Sequence, residues 1–174
     1  HACRRRNTCH VLRAEDLGKT GYETPLEFND DKVFFERVEA MRREAGRRMG
    51  LGDVSRNVVP KIILAAPARA GGNISSRYFV PDRMHETHAI TGGIALAYAC
   101  QSEGTVVHPI TKPAAEGEFA DFSIEHPAGQ LHLTLTFGAG VEESEIVAAG
   151  IIRTARTIMQ GSVMIPERVL PRDV

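Results

Sequence analysis

At 174 residues, with 43% hydrophobic and 25% charged side chains, the chain is long enough for one ordinary globular domain with a real core. Its formal net charge of -1 excludes a global field that would draw it to nucleic acid or an anionic membrane. No apolar run approaches the ~18 residues of a membrane span, and the start, HACRRRNTCH, lacks the apolar stretch of a secretory signal. Three scattered cysteines, Cys3, Cys9 and Cys100, argue for a reducing compartment, with the cytoplasm as the default. The absence of an initial Met reads as a trimmed, partial or engineered start, and Arg4 to Arg6 read as solvated.

In chain order, the first clear element is a helix over 31–49. Phe34, Val38, Met41, Ala45 and Met49 recur at helical spacing, Asp30 and Asp31 offer capping chemistry, and Gly50 ends the run. Arg42, Arg43, Arg47 and Arg48 crowd its last turns, where cations suit the helix dipole, and are expected on a solvated face. Residues 61–66 then read as a buried strand, 68–73 as a glycine-rich loop, and 76–80 as a second strand ended by Pro81-Asp82. A second helix spans 88–102 and is apolar nearly all round, which requires other structure to enclose it.

Further strands are expected at 119–125, 130–137, 146–154 and 162–165. Leu131, Leu133 and Leu135 alternate with His132, Thr134 and Thr136, so the second of these has one buried and one exposed face. The pattern predicts an α+β domain: a curved, mainly antiparallel sheet around a buried central helix, with one outer helix.

The entry to the buried helix, Met84 to Gly93, carries the most chemistry. The first N–H groups of a helix have no intrahelical partner, and the dipole adds partial positive charge. Thr91 offers a hydroxyl, and Gly92-Gly93 let a ligand approach the backbone, so a carboxylate or phosphate suits this end. Arg77, upstream, offers a fork that pairs with a carboxylate. Against this stands a plainer reading, in which the two glycines only permit close helix–sheet packing. On the residues alone that reading is ahead.

His85 and His88 could supply two metal ligands, but no clear third lies nearby, and His-Glu-Thr-His is one residue short of the zinc-protease pattern. A hydrogen-bonding role at the helix entry suits His85 better. Cys100 reads as a core cysteine, and Glu125-His126 as a turn feature, since adjacent strand residues point to opposite faces. Asn7, Lys19, Lys61 and Lys112 remain as polar groups without a neighbour that marks them.

LGKTGYE (17–23), ISSRYFVP (74–81), HAITGGIALAYAC (88–100), EGTVVHP (103–109), IEHPAGQL (124–131) and RTARTIMQG (153–161) follow one another in this order. From about Asn7 onward they resemble the C-terminal half of the PrpF family, which includes methylaconitate isomerases and 4-oxalomesaconate tautomerases. The resemblance implies a diaminopimelate-epimerase-like half: one domain of a two-domain enzyme whose substrate lies between pseudo-symmetric halves. It implies no metal and no organic cofactor. The reaction implied is a proton shift in an unsaturated tricarboxylate of the 4-oxalomesaconate or methylaconitate type. Arg77, His85, Thr91, Gly92, Gly93 and Asn7 are the substrate-binding candidates, and fixed donors of this kind stabilise the charge that spreads onto oxygens.

No catalytic residue can be assigned, because the family's cysteine or serine at this helix entry is replaced by Ile90 and Thr91. The start also departs from the family pattern, so residues 1–6 are candidates for a foreign or altered segment. Implied partners are the substrate, a missing N-terminal half and, through the exposed inter-half face, a second copy; neither nucleic acid nor membrane is implied. The alternative reading is a non-catalytic tricarboxylate-binding or scaffold domain of the same fold.

Overall fold

The computed structural model describes residues 2–3, 8–81, 83–115, 117–138, 146–151 and 155–166. Its strands are β1 (Ala2–Cys3), β2 (Cys9–Arg13), β3 (Lys61–Pro67), β4 (Ile74–Val80), β5 (Arg83–His85), β6 (Phe119–His126), β7 (Gly129–Phe137) and β8 (Ile146–Ile151). The helices are α1 (Pro25–Asp30), α2 (Lys32–Arg48) and α3 (Ile90–Gln101). One sheet runs in the order β1-β2-β3-β4-β6-β7-β8, with β5 paired to β4. Strands β2 and β3, and β4 and β6, pair in parallel, and the other pairings are antiparallel. The sheet is therefore mixed, with an antiparallel majority.

Strand alternation divides the core into two layers. Ile63 and Ala65 of β3 and Ile74 and Tyr78 of β4 join Leu96, Ala97 and Ala99 of α3, together with Phe122, Ile124, Leu133, Leu135 and Ile146. Ile62, Leu64 and Phe79, one residue out of phase, join Phe28 of α1 and Phe34 and Val38 of α2. The sheet thus curls around α3 on one side and carries the outer helices on the other. Because α3 has no polar face, water cannot cover it, and only this enclosure satisfies its composition.

Helix α3 begins two residues later than its sequence suggests, which leaves His88 in the extended approach. At its far end Ser102 returns its N–H to Tyr98 O, Thr105 Oγ1 donates to Ala99 O at 2.6 Å, and His108 Nδ1 lies 3.0 Å from Cys100 O. Cys9 and Cys100 are both buried in the core around this helix.

The outer helix α2 is capped as expected, Asp31 accepting from the Phe34 N–H at 2.9 Å, and Gly50 follows it with φ +74°. Arg42 departs from its expected solvated face. It is buried and donates to Val54 O (2.8 Å), Val59 O (3.1 Å) and Glu39, tying the loop after α2 to the helix. Arg43, Arg47 and Arg48 are exposed.

Strands β1, β2 and β5 and helix α1 were not anticipated. Strand β2 is a five-residue stretch whose Cys9 and Val11 are buried, and α1 opens with a Thr24/Glu27 capping box and Pro25 at its first turn. Conversely, the strand expected at 162–165 makes no ladder and is exposed, and of the strand expected at 146–154 the last three residues lie outside the described residues. No helix among the described residues is long and apolar enough to cross a membrane.

Candidate functional site at the entry of α3

Four pieces of chain meet where α3 begins. They are the approach 86–89, the first helical turn, the aromatic ring of Tyr78 from β4, and the β6–β7 turn, whose Ala128 N–H donates to Glu86 O at 3.1 Å. Ala89 is the N-cap, with extended backbone (φ -68°, ψ 136°), and no side chain caps the helix there. Gly93 N–H opens the ladder by donating to Ala89 O at 2.8 Å. The first N–H groups of a helix have no partner within the helix, and partial positive charge accumulates at that end.

The two glycines are packing residues on their Cα faces. A Cβ on Gly92 would lie 2.5 Å from Tyr78 Cε2 and 3.2 Å from His88 Cε1, and one on Gly93 would lie 2.4 Å from Leu131 Cδ2. The plainer reading of these glycines therefore holds for their Cα hydrogens, and the Gly93 N–H is already committed to Ala89 O. The consequences differ between the two. Gly92→Ala would press on a buried aromatic ring, an overpacking cost of about 1–3 kcal/mol that the helix-propensity gain of about 1 kcal/mol only partly offsets. Gly93→Ala would displace only the end of a flexible, half-buried leucine, and we expect its thermal stability to stay near the parent's. Melting both variants checks the ordering.

His88 is the group the sequence reading undervalued. It is buried at 6% exposure, its ring 4.6 Å from that of Tyr78. Its Nδ1 lies 3.0 Å from Ala89 O, and a carbonyl can only accept, so Nδ1 carries the hydrogen and Nε2 a lone pair. That Nε2 is buried without a hydrogen-bond partner among the described residues. Burial pulls the pKa down to about 4, against the backbone contact with Ala89, and His126 and His85 push in the same direction as burial. His88 is thus a neutral imidazole at ordinary pH.

His126 sits on the same side of β6 as Ile124, half-buried near Glu86. Burial lowers its pKa, and a hydrogen bond with the Glu86 backbone partly offsets this. His126 was readable from phase: two residues beyond the core residue Ile124, a strand residue faces the core again. His85 ends β5 opposite Tyr78 and is exposed, as is Thr91. Gly92 and Gly93 are buried. Asn7 lies outside the described residues. Among the described residues no cluster of three or more His, Cys, Asp or Glu could hold a metal ion.

Arg77 does not join this group. It is paired with Leu64 and faces away from α3, on the side of the outer helices. Its Nε donates to Glu23 O at 2.8 Å and its Nη1 to Ser76 O at 3.0 Å. The buried fork holds the 20–24 loop, where Glu23 in turn accepts from the Thr20 and Gly21 N–H groups at 2.7 and 2.9 Å. Arg77→Ala should therefore cost about 2 kcal/mol of folding stability, as buried carbonyls lose a charged donor. Arg77→Lys should recover less than half, since an ammonium cannot span both acceptors. Denaturant melts of the two variants test this.

Beside it, Glu125 accepts from the N–H groups of Arg69 (2.8 Å), Ala70 (2.6 Å) and Gly72 (2.9 Å), while Gln130 Nε2 donates to Ala70 O at 2.8 Å. The glycine-rich 68–73 loop is therefore tied to β6 and β7. Lys19 is likewise structural, pairing with Asp31 at 2.8 Å over the rings of Phe28 and Phe34.

Comparison with known proteins places this arrangement. YbhH of Escherichia coli (strain K12) is 44% identical over 156 residues, covering 90% of this chain and 43% of its own. The 4-oxalomesaconate tautomerase of Pseudomonas putida is 37% identical over 155 residues, covering 89% of this chain and 42% of its own. The chain thus spans less than half the length of these relatives. The crystal structure of methylitaconate-delta-isomerase shares the fold with a TM-score of 0.72 at 24% identity, over 89% of this chain and 43% of that one. With the PrpF protein model matching residues 6–166 as well, the chain belongs to the PrpF family.

Proposed function

We propose that this chain is the carboxylate-binding half of a cofactor-independent isomerase or tautomerase that moves a proton within an unsaturated tricarboxylate of the 4-oxalomesaconate or methylaconitate type. One observation carries the reading: α3 packs most of its surface into the core, yet no side chain caps its amino end. A carboxylate at the first turn, beside Ile90 and Gly92, would complete that end. Thr91 and His85, both exposed, would contact the same ligand on this reading. Arg77 contributes from behind the sheet as a positioning residue.

The proton-moving groups belong, on this reading, to a second half in a diaminopimelate-epimerase-like pair. The thiols support the division. Cys9 and Cys100 are both buried, and burial pushes the Cys100 thiol up to about 12, too high to serve as a base near neutral pH. A reacting carbanion needs donors fixed on its oxygens, which is what a rigid helix end supplies.

Incubating the complete protein with 4-oxalomesaconate or aconitate in deuterated water tests the proposal. Deuterium should enter a carbon-bound position of the tricarboxylate. Saturable binding without any exchange would instead identify a non-catalytic tricarboxylate-binding domain, and neither binding nor exchange would sink both readings.

A further inference from the structure

Ser76 Oγ, His88 Nε2 and His126 Nδ1 are buried side-chain atoms without a hydrogen-bond partner among the described residues. Native interiors leave few such atoms, so three in one place call for a ligand. Their placement follows from the register. Strands β4 and β6 run in parallel, with Ile74 beside Ile124 and Ser75 beside Glu125, so one residue further Ser76 stands beside His126. Both lie on the α3 side, because Ile74, Tyr78 and Ile124, two residues away along the strands, belong to the core around that helix. The first turn of α3 crosses above them. A Cβ on Gly92 would meet Tyr78, and one on Gly93 would lie 3.5 Å from Ile124 Cδ1, which brackets the Ser76–His126 pair. The His88 ring comes to 3.2 Å and 3.6 Å of the same two positions.

The same atoms restrict what can bind. His88 Nδ1 donates to Ala89 O, so Nε2 offers only a lone pair and needs a donor. A carboxylate has no hydrogen to give and would be repelled there. A cation is poorly served as well, since no cluster of three or more His, Cys, Asp or Glu exists among the described residues. Ser76 Oγ donates or accepts, and His126 Nδ1 does one or the other according to its tautomer. One small neutral molecule that both donates and accepts satisfies all three, and full burial of Ser76 favours the smallest, water.

We propose that Ser76, His88 and His126 form a binding site for a single water beneath the first turn of α3, and that this water makes His88 a positioning residue for the turn. Held from both sides, the His88 ring keeps its contact with Ala89 O, which also accepts the Gly93 N–H that opens the ladder. The direction of the helix entry then depends on a water buried behind it. Only the consequence for ligand binding rests on the carboxylate reading proposed above.

Water-selective Overhauser spectra of the isotope-labelled 174-residue chain test the site. Cross-peaks from a long-lived water should reach the His88 Hδ2 and Hε1 protons and the His126 Hε1 proton. Their absence, or a Ser76 hydroxyl bonded directly to His88 Nε2, would overturn the site. Ser76→Ala deletes one oxygen and should still fold. It should shorten the residence of the water by roughly tenfold, since one of its three protein partners is lost. The His88 Nε2 resonance should move toward that of a free lone pair, and the Gly93 amide should move with it. An unchanged residence time would remove Ser76 from the site, and a Gly93 amide that stays in place would overturn the positioning role. Titration with trans-aconitate then compares the two proteins, the variant being expected to bind more weakly. Equal affinity after loss of the water would also count against positioning. If the parent shows the water cross-peaks but binds no trans-aconitate, the water site stands and only the carboxylate reading falls.

Discussion

Lowering the pH from 7 to 4 should destabilise this chain by ~3 kcal/mol through His88 alone. In the folded state burial holds its pKa down to about 4, whereas the unfolded side chain titrates near 6.5. Between those values the unfolded chain binds a proton that the native chain refuses, so stability is fully present above pH 6.5 and falls as the pH drops toward 4. Below 4 both states are protonated and this contribution no longer changes. His126, whose pKa burial also lowers, and His10, lowered to about 4, contribute in the same direction. His88→Asn separates the contributions. An asparagine amide can still donate to Ala89 O but does not titrate, so urea melts across pH 4–7 should lose about one proton of slope. An unchanged slope would mean that His88 is protonated in the native state.

The second large effect is expected at Glu125. Its carboxylate accepts three backbone N–H groups from one loop and is itself buried. Burial alone would raise its pKa, but the N–H bonds outweigh burial and hold it below the usual carboxylate value. Glu125→Ala should cost about 3–4 kcal/mol, because a charged acceptor is lost and the Gly72 N–H is left unpaired in the interior. Glu125→Gln keeps the shape and should cost roughly half as much. The sign of its pH dependence is also fixed. With a depressed native pKa, the stabilisation is present above pH 4.5 and is lost as the pH falls through the folded value, so the Gln variant should lose that acid-limb dependence. Chemical denaturation at pH 7 and pH 3.5 reads both quantities.

How much of this was legible in the sequence depended on phase more than on composition. The enclosed helix could be recognised because residues 94–100 leave it no polar face. Strand β7 could be recognised because Leu131, Leu133 and Leu135 keep a strict period of two. Arg77 was misplaced for want of the same arithmetic: it adjoins Tyr78, and neighbours on a strand cannot both face α3. Arg42 shares the buried stripe of Val38, Ala45 and Met49, and helical spacing alone sets it apart from Arg43. His126 was set aside as a turn residue although Ile124, two positions earlier, marks its face as the core side.

Other features had no local signal. Strand β2 is short, and its parallel partner β3 lies some fifty residues away in sequence. The lone pair on His88 Nε2 depends on a contact with Ala89 O that only the folded turn reveals. The glycines were ambiguous for a physical reason, since both readings are true of different atoms. Their Cα hydrogens pack against Tyr78 and Leu131, while their backbone forms the first turn of α3, where the helix dipole is positive.

The central claim is that the amino end of α3 receives a carboxylate. Titrating the 15N-labelled 174-residue chain with trans-aconitate, and following backbone amide shifts, tests it most directly. Saturable shifts centred on Ile90, Thr91 and Gly92, with little movement at Arg77 and Glu125 on the opposite face, are the predicted result. Shifts centred on Arg77 and the 68–73 loop, with residues 90–92 unmoved, would contradict it.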